Sequence, residues 1–124
     1  QIAAIIAMRT GDEHIVDQGR VYQHRRDVLV RGLHRLGWEV DSPKATMFFW
    51  AKVAPEHLAR FGGSTEEFCL AMVDKADVAM TPGAAFGEGG EGYVRMALVE
   101  NEHRIRQAIR QLGRVLKRQA EPTA

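Results

Sequence analysis

Apolar residues recur along this chain at helical spacing in two long stretches, with short continuous apolar runs between them. From about Asp12 to Leu36, positions Ile15, Gly19, Tyr22, Leu29, Leu33 and Leu36 fall on one side of a helix, and Gly37 follows where helices commonly end. A second stripe of Ile105, Ala108, Ile109, Leu112, Val115 and Leu116 predicts a helix from the N-cap candidate Asn101 to about Gln119. Between them, Ser64 followed by Glu67 makes a capping-box pattern. It predicts a helix to about Ala76 that buries Phe68, Ala71, Met72 and Ala76. Residues 1–9 read as the end of an Ala/Ile-rich helix, stopped near Thr10-Gly11.

Short apolar runs predict strands. Trp38–Val40 is one candidate, turned by Ser42-Pro43-Lys44 into a second, Ala45–Val53. The second contains Met47-Phe48-Phe49-Trp50-Ala51, a run apolar enough to predict a strand covered on both faces. Val78–Thr81 is a short strand ending at Pro82-Gly83, and Tyr93–Val99 is another. Residues 54–63, with Pro55 and Gly62-Gly63, read as a loop, and Gly83–Gly92 as a glycine-rich one. The tail 120–124 reads as frayed. The order is helix, helix, strand, strand, helix, strand, strand, helix. It predicts an α+β fold, with a small mixed or antiparallel sheet and helices packed on one face.

A chain of 124 residues suits one domain with a modest core. Seventeen basic against sixteen acidic residues leave a net charge of +1, so no polyanionic partner is demanded and no nucleic acid is expected. No apolar run approaches the ~20 residues of a membrane span, and no signal-peptide pattern is present, so no membrane association is expected. The single cysteine, Cys69, excludes an internal disulfide and suits a reducing, cytoplasmic setting. The first residue is Gln1, in what reads as a helix already under way. The expectation is therefore a piece of a longer protein: residues 1–10 end a helix continuing from a large domain, and 11–124 form a C-terminal small domain.

Chemistry is sparse. The histidines His14, His24, His34, His57 and His103 form no pair at metal-ligand spacing, so no metal site is expected. Gly87-Glu88-Gly89-Gly90-Glu91-Gly92 spells G-x-G-x-x-G, but its glycines lead into a strand rather than a helix, and two glutamates would repel a phosphate. Arg106, Arg110, Arg114 and Arg118 recur every four residues, a stripe that fits a nucleic-acid contact but, at near-neutral net charge, fits a solvated helix face better. Arg95 is different. It lies inside the strand Tyr93-Val94-Arg95-Met96-Ala97-Leu98, with Val94 and Met96 on the opposite face. Its planar fork suits a carboxylate bidentately. An edge-strand arginine paired with a glutamate or exposed to water fits the same pattern.

Several segments together resemble the C-terminal part of the class I/II, fold-type-I aminotransferases. They are Tyr22 to Leu29 with Leu33 to Trp38, Pro43 to Ala51, Thr81-Pro82-Gly83 with Phe86-Gly87, and Val94 to Asn101. The wording is nearest to the bacterial alanine (glutamate–pyruvate) branch, and the match covers nearly the whole chain. The resemblance implies pyridoxal 5'-phosphate held on a lysine, amino-acid and 2-oxo-acid substrates, and a homodimer at full length. It implies that Arg95 clamps the substrate α-carboxylate and that Phe48 lines the site. Lys44, Lys52, Lys75 and Lys117 lack the serine-rich surroundings of a Schiff-base lysine. No catalytic or cofactor-binding residue is therefore expected in this chain, and it should be inactive alone. A different class also fits: an aminotransferase-like ligand-sensing domain of a transcription regulator. A related aspartate or diaminopimelate aminotransferase is a further possibility among enzymes.

Overall fold

The computed structural model describes residues 1–117. Helices α1 (Ile2–Thr10) and α2 (Asp12–Arg35) are separated by Gly11 alone. Helix α2 buries only its C-terminal half, through Val28, Leu29, Gly32 and Leu33. Gly32 is where α5 (Glu102–Leu116) comes closest, since a Cβ there would collide with the Ile109 side chain. Ile15, expected in the apolar stripe, is instead exposed together with Val16, because α5 packs further along the helix.

Strand β1 (Phe48–Lys52) pairs antiparallel with β3 (Tyr93–Ala97), which pairs antiparallel with the two-residue β2 (Thr81–Pro82). The order β1-β3-β2 makes β3 the central strand. Phe49 and Ala51 of β1, and Val94 and Met96 of β3, point inward to α2, α5 and α4 (Thr65–Ala76). The helices thus cover one face, as the pattern predicts. The central run of β1 is not covered on both faces. Phe48, Trp50 and Lys52 point outward, so the strand alternates despite its uniformly apolar wording.

Three further expectations fail for identifiable reasons. Trp38–Val40 is not a strand: the Trp38 N–H donates to the Leu33 carbonyl and closes α2. The Trp38 indole then turns into the core, donating to the Lys52 carbonyl at 2.6 Å and meeting Phe68 edge-on. Val78–Thr81 is reduced to Thr81–Pro82. Asp77 adopts a left-handed turn and the Val78 N–H caps α4 by donating to Met72, which leaves little free backbone to pair. Residues 54–63 hold a one-and-a-half-turn helix, α3 (Pro55–Arg60), started by proline at its first position. It is too short to show an apolar stripe.

The predicted caps are present. Ser64 Oγ accepts from the Glu67 N–H, and Asn101 Oδ1 from the Arg104 N–H. The last helix is described to Leu116, and the rest of its expected span, with the tail, lies outside the described residues. Arginines stitch the elements together. Arg25 donates to the Leu98 and Val99 carbonyls, and Arg60 to those of Val115 and Leu116 at the end of α5. Among the described residues no helix is long and apolar enough to cross a membrane.

Candidate functional site

Arg95 sits at the middle of β3, with Trp50 opposite it on β1 and Thr81 on β2. It is therefore on the central strand, and the edge-strand alternative does not apply. Val94 and Met96 are buried on the other face, so Arg95 points outward together with Tyr93, half-buried. Its guanidinium carbon lies 4.4 Å from the ring centre of Phe48 and 4.6 Å from that of Phe86. Both are cation–π distances. Among the described residues, no carboxylate lies within ion-pairing range of Arg95 and no acceptor takes a hydrogen bond from its guanidinium. The arginine paired with a glutamate is thus not realised. What the fold presents is a guanidinium packed against two aromatic rings, with no donor spent among the described residues.

Phe48 is brought there by register. It pairs with Ala97, two residues beyond Arg95, so Phe48 and Arg95 are diagonal neighbours on one face of the ladder. The backbone just before it is unusual. Thr46 has φ of +72°, a conformation costly for a β-branched residue, and its Oγ1 accepts the Phe48 N–H at 3.3 Å. The structure brings the two predicted site residues into contact.

Three residues that the sequence did not single out complete this face. Trp50 stacks on Tyr93 at 5.8 Å and meets Phe86 edge-on at 5.7 Å. Two of them carried a signal: Trp50 lies two residues from Phe48 and Tyr93 two from Arg95, the strand period. Phe86 had no periodic signal, only its place in the Phe86-Gly87 segment of the family resemblance, because it stands on a single 3-10 turn, Gly83–Phe86, where no periodicity can build up.

The glycine-rich loop is a folded connector. Gly83 and Gly90 approach backbone to backbone so closely that a Cβ on either would strike the carbonyl oxygen of the other. The last glycine leads into β3, and Glu91 reaches across to the N-terminus of α4. There its carboxylate accepts the Thr65 N–H at 2.8 Å and the Thr65 hydroxyl at 3.0 Å. Those hydrogen bonds, the backbone one foremost, hold its pKa below the usual carboxylate range.

Two further titratable groups serve packing and linkage. Burial pushes the Cys69 thiol up to about 11, so it is an inert core residue. Glu102 is held at about 2, first by the hydrogen bond with His24 at 2.8 Å and then by Arg106. This pair ties α2 to the start of α5. Arg106, Arg110 and Arg114 lie exposed on α5, as expected of a solvated face, and Arg118 is outside the described residues. No cluster of three potential metal ligands occurs among the described residues. The open grooves of about 670 and 710 Å³ are lined by residues other than Arg95, which stands on an uncovered face.

None of the four lysines is built into this face as a partner of Arg95. Lys75 packs 5.5 Å from the Phe61 ring, Lys117 caps α5, and Lys44 precedes β1. Lys52 ends β1 opposite Tyr93, with Trp50 between it and Phe48 along the strand. Among the described residues, the cation set against the Phe48 and Phe86 rings is the Arg95 guanidinium.

Comparison with known proteins gives a consistent picture. The family described as "Aminotransferase class I and II" matches residues 1–112. The chain is 49% identical over 116 residues to the putative aminotransferase AatC of Rhizobium meliloti, covering 94% of this chain and 28% of that protein. It is 47% identical over 110 residues to the glutamate-pyruvate aminotransferase AlaC of Escherichia coli, covering 89% and 26%. Against the LL-diaminopimelate aminotransferase of Moorella thermoacetica it is 40% identical, covering 94% and 28%. Among solved structures, apo-BacF of Bacillus subtilis superposes with a TM-score of 0.83 at 26% identity, covering 91% of this chain and 28% of that one. An aminotransferase of Staphylococcus aureus gives 0.81 at 26% identity, covering 93% and 29%. The chain thus spans between a quarter and three tenths of the length of these relatives.

Proposed function

Because this chain belongs to the class I and II aminotransferases, we propose that it is the C-terminal small domain of such an enzyme and that Arg95 holds the substrate's α-carboxylate. The observation that carries this reading is the Arg95 guanidinium, half-buried on the central strand, oriented over Phe48 and without an acidic partner among the described residues. A side chain so placed can accept a carboxylate without first breaking an internal ion pair. Phe48 and Phe86 pack against the guanidinium, which favours one placement of its donors for a charge-assisted hydrogen bond.

The cofactor of the whole enzyme is pyridoxal 5'-phosphate, which when bound supplies the electron sink for amino transfer. Its lysine lies outside this chain, consistent with the share of the relatives' length that the chain covers. Residues 1–10 lead from a large domain, and the enzyme works as a cytoplasmic homodimer with amino-acid and 2-oxo-acid substrates. The 47% identity to AlaC, a glutamate-pyruvate aminotransferase, supports an alanine/glutamate substrate pair.

Two assays test this. The full-length protein should move the amino group of alanine to 2-oxoglutarate, and failure with every α-amino acid tried would overturn the reading. The isolated 124-residue chain, titrated with pyridoxal phosphate, should show neither a saturable shift of the cofactor's absorbance nor amino transfer. A saturable shift that Arg substitution of Lys44, Lys52, Lys75 or Lys117 abolishes would place the cofactor in this domain.

A further inference from the structure

We infer that Phe86 is a positioning residue for Arg95: its ring fixes the guanidinium plane in the orientation that receives a carboxylate. The inference rests on the reading of Arg95 as the carboxylate holder. It starts from the two rings against that guanidinium, which the chain delivers in different ways. Phe48 is part of the β1–β3 ladder and is set by register. Phe86, with its ring centre 4.6 Å from the same guanidinium carbon, is delivered by the turn Gly83–Phe86 from outside the sheet.

That turn is held in place at both ends. Gly83 is locked against Gly90 by close backbone approach, and Gly87, at φ of +119°, turns the chain back in a conformation that favours glycine. The Gly87 N–H closes the turn onto the Ala84 carbonyl at 3.1 Å. Trp50, opposite Arg95 in the ladder, meets the Phe86 ring edge-on, and is itself stacked on Tyr93. Phe86 nevertheless stays half-exposed, and it contributes nothing to the buried core. An apolar ring left so exposed, on a tied-down turn, against an arginine and a tryptophan, serves the arginine better than it serves folding. An arginine side chain has several torsions to order before both of its N–H donors can meet a carboxylate. Packing its plane on two rings does that ordering in advance.

The test uses the full-length enzyme with Phe86→Leu, which keeps an apolar side chain but removes the aromatic face, and Phe86→Tyr, which keeps the face. Two quantities are read: KM for the amino-acid substrate and the inhibition constant of propionate, a carboxylate that does not react. Phe86→Leu should raise both by roughly three- to tenfold, while Phe86→Tyr stays within about twofold of the parent and the melting temperature is unchanged. An unaltered propionate constant in Phe86→Leu, or equal losses in the two variants, would overturn the inference. Arg95→Lys run in parallel separates the two levels. If it weakens propionate while Phe86→Leu does not, only the role of Phe86 fails; if it leaves propionate binding intact, the reading of Arg95 fails. Should Phe86→Leu not fold, Phe86→Met carries the same comparison.

Discussion

The guanidinium of Arg95 lies 4.4 Å from the ring centre of Phe48, although the two residues are 47 positions apart and meet only through the β1–β3 register. A one-residue slip of that register would turn Phe48 to the core and separate them. Phe48→Ala should therefore raise KM for the amino-acid substrate by about three- to tenfold in the full-length enzyme, and Phe48→Tyr much less. Steady-state kinetics on both variants check this. Equal effects would mean that the ring's face is not what matters.

The alternation along β1 makes a sharp contrast between neighbours. Phe49 is fully buried, and Phe49→Ala should destabilise the protein by about 3–5 kcal/mol. Trp50 is 42% exposed on the other face, and Trp50→Ala should cost less than about 1.5 kcal/mol while still disturbing Arg95 through the loss of its contact with Phe86. Denaturant unfolding of the two variants gives the comparison. A similar loss in both would contradict a strand with one covered face.

Acid sensitivity follows from Glu102 and Glu91. Both carboxyls have depressed pKa values in the folded chain, Glu102 at about 2, so each favours the folded state when ionised. That contribution is complete above the ordinary carboxylate value of 4.5 and is lost as pH falls from there toward 2. The melting temperature should drop over that window, and Glu102→Gln should flatten the drop while starting from a lower value at pH 7. A parallel acid profile in Glu102→Gln would show that the link to His24 and Arg106 contributes nothing.

Much of this architecture is legible in the sequence because its signals are long or chemically specific. The stripes of α2 and α5 run over several turns, and Ser64 and Asn101 are caps with a mechanism. Arg95 stands out because a charged residue interrupts an apolar strand. The signals that misled are short. Trp38–Val40 looks like a strand until its N–H is spent on closing α2, and Pro55–Arg60 is shorter than the distance over which an apolar period can be seen. The β1 run is apolar on both faces because its outward residues pack on neighbours, Phe48 on Arg95 and Trp50 on Tyr93 and Phe86, so an aromatic outer face reads like a buried one. Phe86 reaches the site from a turn, where sequence spacing carries no geometry.

The central claim is that Arg95 holds a carboxylate, and one comparison tests it most directly. In the full-length enzyme, kcat/KM is measured for an α-amino acid and for its decarboxylated amine, in the parent and in Arg95→Lys, with the melting temperature as control. Lysine keeps the charge but loses the fork that grips both oxygens, and a charge-assisted hydrogen bond is worth roughly 1.5–3 kcal/mol. The amino acid should therefore lose about one to two decades in kcat/KM, and the amine, which never used the clamp, should be nearly unaffected. Equal losses for both substrates, or a loss matched by unfolding, would contradict the account and leave Arg95 a structural residue of the central strand.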